Sequence, residues 1–272
     1  MSIFICPVCS EKLTISGKNY VCAERHNFDI AKSGYVNLLN AKHGKIHGDN
    51  KFMIHARHNF LEKGYYLPLC RKVCEITKNY AQNDCVLFDA GCGEGYYTSS
   101  VKAFLEQSEI AVEMYGIDIS KDAVEMASKR KSGVNFAVAS VFNIPVQSES
   151  ADILLTMFAP YCRDEYLRVL KNSGYMVMVI PSENHLWELK KAVYDKPYKN
   201  SVKPYELDGF RHISTEKVHF DMRIDNSADI QSLFSMTPYY YKTGKSEQER
   251  LNALENLETQ ADFEILVYQK IQ

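Results

Sequence analysis

An apolar run, Val86-Leu87-Phe88, passes directly into Asp89-Ala90-Gly91-Cys92-Gly93-Glu94-Gly95, and the residues beyond it read as a helix. A strand that turns into a helix through alternate glycines constrains the fold more than any other feature of this chain. Glycine permits positive φ and lets a ligand come close to the backbone. The spacing Asp-x-Gly-x-Gly-x-Gly differs from the dinucleotide fingerprint, because an acid stands at the strand end before the first glycine. A carboxylate there suits a cationic ligand such as S-adenosylmethionine better than a pyrophosphate, which is drawn to bare helix N-terminal NH groups.

Two further apolar runs support a nucleoside-cofactor site. Met114 to Ile119 carries Asp118, a carboxylate placed at a strand tip to accept both ribose hydroxyls. Asn135 to Ala139 is followed by Ser140-Val141-Phe142, where a backbone NH and an apolar face can hold an adenine. The candidate cofactor residues are therefore Asp89, Gly91, Gly93, Glu94, Gly95, Asp118 and Ser140. Short apolar runs near 85–89, 112–118, 134–139, 151–157 and 174–180 alternate with amphipathic stretches. That alternation predicts an α/β fold, a mainly parallel sheet with helices on both faces and ligands at the carboxyl ends of its strands.

The first 30 residues hold a second constellation, Cys6-Pro7-Val8-Cys9 followed by Cys22 and His26. Cys-x2-Cys-x12-Cys-x3-His is a spacing with which a small module gathers four soft ligands, and zinc is the expected metal. Four protein ligands close the coordination shell, so the site is expected to be structural and to stabilise a segment too small to fold alone.

The remaining composition describes an ordinary folded protein. Hydrophobic residues make up 46% of 272, ample for a buried core. Eight cysteines in such a chain do not require a disulfide scaffold, so reduced or metal-bound thiols are expected. No apolar run approaches a membrane span and no secretory leader is evident, which makes a cytoplasmic location the expectation. A net charge of −2 argues against coating nucleic acid by bulk charge. A local patch exists, however: Lys42, Lys45, Lys51 and Arg57 stand among His43, His47, His55 and His58, opposed only by Asp49. It is a candidate phosphate-docking segment, or simply a solvated loop and helix face.

Three segments follow: a zinc module over 1–35, a linker with helices over 36–82, and the catalytic-type core over 83–272. Lys51 to Lys63 and Leu67 to Ala81 show helical spacing, with Gly64 as a stop signal and Pro68 in the first turn of the second helix. His185 to Tyr194 reads as another helix, residues 195–215 as an irregular loop, and Phe263 to Val267 as a last, antiparallel edge strand.

A zinc module of this spacing joined to this loop resembles the bacterial 23S ribosomal RNA (guanine-N1)-methyltransferases of the RlmA family. The likeness extends through Phe28-Asp29-Ile30-Ala31-Lys32-Ser33-Gly34-Tyr35-Val36-Asn37-Leu38-Leu39, the Ala56-Arg57 and Phe60-Leu61 positions, Gly64-Tyr65-Tyr66-Leu67-Pro68-Leu69, Gly91-Cys92-Gly93-Glu94-Gly95-Tyr96-Tyr97, Phe158-Ala159-Pro160, His185-Leu186-Trp187-Glu188-Leu189-Lys190 and Met236-Thr237-Pro238. The resemblance implies a class I, Rossmann-like S-adenosylmethionine-dependent methyltransferase, a homodimer that acts on a domain II hairpin loop of 23S rRNA. It also implies zinc ligation by Cys6, Cys9, Cys22 and His26, and cofactor contacts at Tyr66, Gly93, Glu94 and His185.

There are departures. Lys171-Asn172-Ser173-Gly174 stands where many relatives have Lys-Pro-Gly-Gly, and Phe158-Ala159-Pro160-Tyr161 replaces the Asn/Asp-Pro-Pro-Tyr of exocyclic-amino methyltransferases. The apolar first residue fits a ring-nitrogen target. Phe158 and Tyr161 are candidates to stack on the guanine. Asp152, Asp164, Glu165 and Glu183 lie near strand ends, yet acids there more often cap helices or face solvent, and no general base is assigned. Two other readings stay open: a methyltransferase for a small metabolite, and a catalytically silent RNA-binding module.

Overall fold

The computed structural model describes residues 2–39, 48–202 and 205–271, without the side chains of Tyr241 and Lys242. Lys42, His43, Lys45 and His47 of the basic segment therefore lie outside the described residues.

The N-terminal module is a three-stranded antiparallel sheet of β1 (Thr14–Ser16), β2 (Asn19–Val21) and β3 (Asn27–Asp29). It is not a loose appendage. Phe4 is fully buried, with its ring edge-on to Tyr115 at 5.1 Å and to Tyr20 at 5.9 Å. The Ile5 amide donates to the Pro145 carbonyl at 2.9 Å. Next comes β4 (Val36–Asn37), which pairs in parallel with a strand of the main sheet, so the segment expected to be a linker begins by extending that sheet.

The helices α1 (Lys51–Glu62) and α2 (Leu67–Lys78) fall where their spacing placed them. Asn50 caps α1 by accepting from the Met53 amide, and Pro68 opens α2, where its missing N–H costs nothing. The core then alternates β5 (Cys85–Ala90), α3 (Tyr96–Gln107), β6 (Val112–Asp118), α4 (Lys121–Lys129), β7 (Asn135–Val138), β8 (Ala151–Met157), α5 (Arg163–Val169), β9 (Leu170–Pro181) and α6 (Trp187–Val193). It ends with β10 (Phe210–Ile224), α7 (Ser227–Ser235), α8 (Lys245–Asn252) and β11 (Leu257–Lys270).

The main sheet runs β10-β11-β9-β8-β5-β6-β7-β4. Pairing is parallel from β4 to β9, while β11 runs antiparallel to both β9 and β10. Side-chain alternation sends Leu87, Ile153 and Leu155 into one core layer and Phe88 and Leu154 into the other, which Phe4 of the zinc module joins. Because β5 is flanked by β6 and β8, chain order reverses beside it and opens a crevice at the strands' carboxyl ends.

Two expectations are corrected. Residues 195–215 are not wholly irregular, since β10 starts at Phe210, and β11 is an interior strand instead of an edge. The reason is exposure: β10 is the true edge, one of its faces carries Thr215, Lys217, His219 and Asp221, and such a strand lacks the apolar run of a buried one. The departure at Lys171 to Gly174 lies within β9, where the pairing with β8 is irregular between Leu170 and Tyr175. Ser173 adopts φ +63°, the conformation a glycine would take there, and Lys171 pairs with Asp152 at 2.8 Å.

Candidate functional site

A cavity of about 640 Å³ lies in the crevice at the carboxyl ends of β5, β6, β7 and β8. Its floor is the glycine loop. Gly91 has φ +91° and a Cβ there would come 2.5 Å from the Ala159 side chain; Gly95 has φ +79° and a Cβ would come 2.8 Å from Ala127. Both positions thus require glycine for conformation and for space.

Asp89 is buried beneath the loop. Thr98 Oγ1 donates to its Oδ2 at 2.6 Å, whereas its Oδ1 has no partner among the described residues. Burial pushes this carboxyl up to about 7, with the charge of Asp118 adding to the effect and the Thr98 hydrogen bond opposing it. A buried acid left half-satisfied is suited to a cationic ligand, which would supply both the missing donor and the counter-charge.

Asp118 ends β6 and ties the loop down. Its Oδ2 accepts from the Gly93 amide at 3.0 Å and its Oδ1 from the Ser120 amide at 2.8 Å, while burial raises its pKa. Each oxygen keeps a further lone pair for a hydroxyl. Ser140, Val141 and Phe142 line the same cavity beyond β7.

Glu94 faces two ways. Its Oε2 accepts from Arg130 and lies 3.1 Å from His58 Nδ1, and its Oε1 is buried with no partner among the described residues. Burial opposes its ionisation, but the His58 hydrogen bond and the Arg130 charge outweigh burial and hold it below the usual range. His58, Glu62 and Glu94 cluster at the spacing of metal ligands, but the Arg130 guanidinium pairs with both Glu62 and Glu94 and already supplies the positive charge there.

Tyr66 and His185 meet on the opposite wall, hydroxyl to Nε2 at 3.5 Å. Thus Tyr66, Asp89, Gly91, Gly93, Glu94, Asp118, Ser140 and His185 all line one cavity; Gly95, the remaining expected residue, caps α3 at its edge.

Sequence reasoning missed other lining residues. Arg57, read as part of a docking patch, lies in the cavity, bonded to Asp49 at 2.5 Å. Asn200, Tyr239 and Phe263 come from segments with no local signature. Phe158 lines the mouth, half-exposed and at φ +58°, a strained value for a bulky residue. Tyr161 does not join it, packing instead against Tyr166 at 5.5 Å. Asp152, Asp164, Glu165 and Glu183 pair with Lys171, Arg163, Arg168 and Lys199 respectively, and none lines the cavity.

In the N-terminal module the ligand atoms of Cys6, Cys9, Cys22 and His26 all lie within 4.8 Å of one another. Cys9 and Cys22 sulfurs are 3.7 Å apart, and His26 Nδ1 lies 3.5 Å from Cys6 Sγ and 3.4 Å from Cys22 Sγ. A tetrahedron with Zn–S bonds of about 2.3 Å has edges of roughly 3.8 Å, so the donor set fits zinc in size and chemistry.

Comparison with known proteins agrees with this arrangement. The family "RlmA, N-terminal" matches residues 4–45, and "Methyltransferase domain" matches residues 81–244. YxjB of Bacillus subtilis, whose name places it with the 23S rRNA (guanine-N1)-methyltransferases, is 30% identical over 99% of this chain and 98% of its own. The chain belongs to the RlmA family. A second relative, the 23S rRNA (guanine(748)-N1)-methyltransferase of Streptomyces fradiae, is 32% identical over 82% of this chain and 80% of its own. The crystal structure of YcgJ from Bacillus subtilis shares the fold, with a TM-score of 0.50 and 17% identity over 74% of this chain and 99% of its own.

This RlmA-family protein is accordingly a class I S-adenosylmethionine-dependent methyltransferase with a Cys3His zinc ribbon. No helix among its described residues is long and apolar enough to cross a membrane.

Proposed function

We propose that this protein methylates N1 of a guanine in a domain II hairpin loop of 23S rRNA. The observation that carries the proposal is the full-length likeness to YxjB, ribbon and core together, combined with a cavity in which one carboxylate oxygen each of Asp89 and Glu94 has no partner among the described residues, which suits a sulfonium cofactor.

In this reading Asp89 Oδ1 takes the cofactor's ammonium, Asp118 its ribose hydroxyls, and the Ser140–Phe142 turn its adenine. Gly93, Glu94, Tyr66 and His185 enclose its methionine end. The ribbon, 1–35, holds zinc through Cys6, Cys9, Cys22 and His26 and shares rRNA contact with the segment after it; 83–272 carries the chemistry. A homodimer is the expected assembly.

Bound S-adenosylmethionine supplies an electrophilic methyl group, and the chain supplies position and exclusion of water. Guanine N1 must lose its proton. His185 is not the group that accepts it, because its Nδ1 already accepts from the Asp262 amide at 3.2 Å, which leaves the proton on Nε2. Phe158 is the side chain best placed to stack on a guanine turned out of its loop, being aromatic, half-exposed and at the mouth. Phe158→Ala is expected to lower RNA methylation with cofactor affinity intact; unchanged turnover would move the guanine elsewhere.

The deciding experiment is primer extension across that hairpin on 23S rRNA from a deletion strain, after incubation with purified protein and S-adenosylmethionine. A new stop at one guanine supports the proposal and names the base, with the guanine in the Streptomyces fradiae relative's name as the reference position. No stop from protein that binds zinc and cofactor, with methyl transferred to a metabolite pool, would favour the small-molecule reading.

A further inference from the structure

Four carboxylates line the cavity, Asp49, Asp89, Glu94 and Asp118, against one Lys or Arg among the described lining residues, Arg57. Two of the acids are matched by cations, Asp49 by Arg57 and Glu94 by Arg130. Among the described residues no cation is bonded to Asp89 or Asp118, which leaves the cavity ready for a positively charged ligand. S-adenosylmethionine, though, also carries a carboxylate, and an anion placed among these acids needs a cation of its own.

Arg57 has the geometry for that. It projects from α1 and uses one nitrogen for both of its bonds: Nη2 lies 2.5 Å from Asp49 Oδ2 and donates to the Met236 carbonyl at 3.4 Å. Nη1 has no partner among the described residues. It lies across the glycine loop, 3.7 Å from where a Cβ on Gly93 would stand, and among the described residues beyond Gly93 and its two chain neighbours nothing else comes within 4 Å of that point. The guanidinium is thus anchored on one edge and presents its other edge over the backbone that a ligand must approach. Its side chain is 27% exposed, too enclosed for a freely solvated surface charge. The charge of Arg57 also opposes the rise that burial imposes on the Asp118 pKa, so it is felt inside the cavity.

We propose that Arg57 is the oxyanion-binding residue of this cavity and holds the carboxylate of the cofactor's methionine end through Nη1. The inference rests on the cavity being the cofactor site, which wild-type binding of S-adenosylhomocysteine tests separately. The same nitrogen chemistry would also bind a phosphate of the rRNA, and the two sources separate cleanly in solution.

Calorimetry is performed on the zinc-loaded full chain with S-adenosylhomocysteine and with its decarboxylated analogue, which differs only in lacking the carboxylate. Wild type is expected to prefer S-adenosylhomocysteine by about 10- to 100-fold, the range of a charge-assisted hydrogen bond. Arg57→Gln is expected to bind the two alike, by losing affinity for S-adenosylhomocysteine alone. Arg57→Lys keeps the charge without the fork and should retain part of the preference. Equal binding of both ligands by wild type overturns the proposal without recourse to any variant. An equal loss for both in Arg57→Gln makes the residue a strut between α1 and Met236. Unchanged binding of both, with a weaker and less salt-dependent rRNA affinity, assigns the phosphate instead and likewise overturns it.

Discussion

The Tyr66 hydroxyl and His185 Nε2 stand 3.5 Å apart, joining the residue that opens α2 to the turn that leads into α6. The Asp262 amide fixes the tautomer from the other side of the ring, so the imidazole donates and the phenol oxygen accepts. Burial, assisted by the charge of Lys190, lowers the His185 pKa to about 3 and keeps the ring neutral. Removing the hydroxyl by Tyr66→Phe should weaken S-adenosylhomocysteine about 5- to 10-fold, the worth of one hydrogen bond. Calorimetry measures this. A histidine NMR signal assigned to His185 that titrates between pH 5 and 8 would show that the ring is not locked.

Cofactor affinity should rise with pH through about 7, the value to which burial pushes Asp89. Below it the carboxyl is protonated and offers a cation nothing; above it the charge is present. The rise is bounded by a factor of about 10 per pH unit for one proton. Without cofactor the sign for stability is the opposite. An acid with a raised pKa leaves the folded state best placed at low pH, and that contribution is lost as pH rises through the folded value. Asp89→Asn should flatten both profiles in paired calorimetry and thermal melts, and a slope that survives the substitution must belong to another group.

How much of this could be read beforehand depended on whether a feature was local. The loop from Asp89 to Gly95, Asp118 at its strand tip and the Cys-Cys-Cys-His set each fit within a short window, and all were legible. Tyr66 and His185 came through family likeness, since neither has a spacing of its own. Arg57 was visible as a charge but not as a cavity residue, because its setting comes from Asp49 and Met236, the latter far along the chain. Phe263 and Asn200 were illegible for the same reason. The strand β10 was missed because an edge strand with a solvated face carries a polar sequence.

Arg130→Met should destabilise the protein by about 3 kcal/mol, the usual cost of stranding a buried charge. Glu94 is nearly inaccessible and would be left with His58, while Glu62 would lose its bond of 2.7 Å. The melting temperature should fall by about 6 to 12 °C for a chain of this size. A change under 2 °C, about what a surface pair gives, would mean that the cluster contributes little.

Cys22→Ser should abolish stoichiometric zinc, measured by elemental mass spectrometry, and raise hydrogen exchange through residues 2–30. Amides of β5, β6 and β8 should stay protected, since their ladder bonds do not involve the ribbon. Full zinc occupancy in this variant would remove Cys22 from the ligand set.

Tyr66 and Phe263 touch across the cavity wall, their rings 5.1 Å apart, although nearly the whole core separates them in sequence. Phe263 belongs to β11, the strand that slots between β9 and β10. A nascent or partly unfolded chain without β11 therefore has the glycine loop but no enclosure around it. Contacts of such long range form late, after the loop-closure entropy has been overcome. Binding of S-adenosylmethionine would then stabilise only the finished protein, by mass action, and act as a checkpoint on its own maturation: unfinished molecules neither sequester the cofactor nor offer methyl groups to the wrong acceptor.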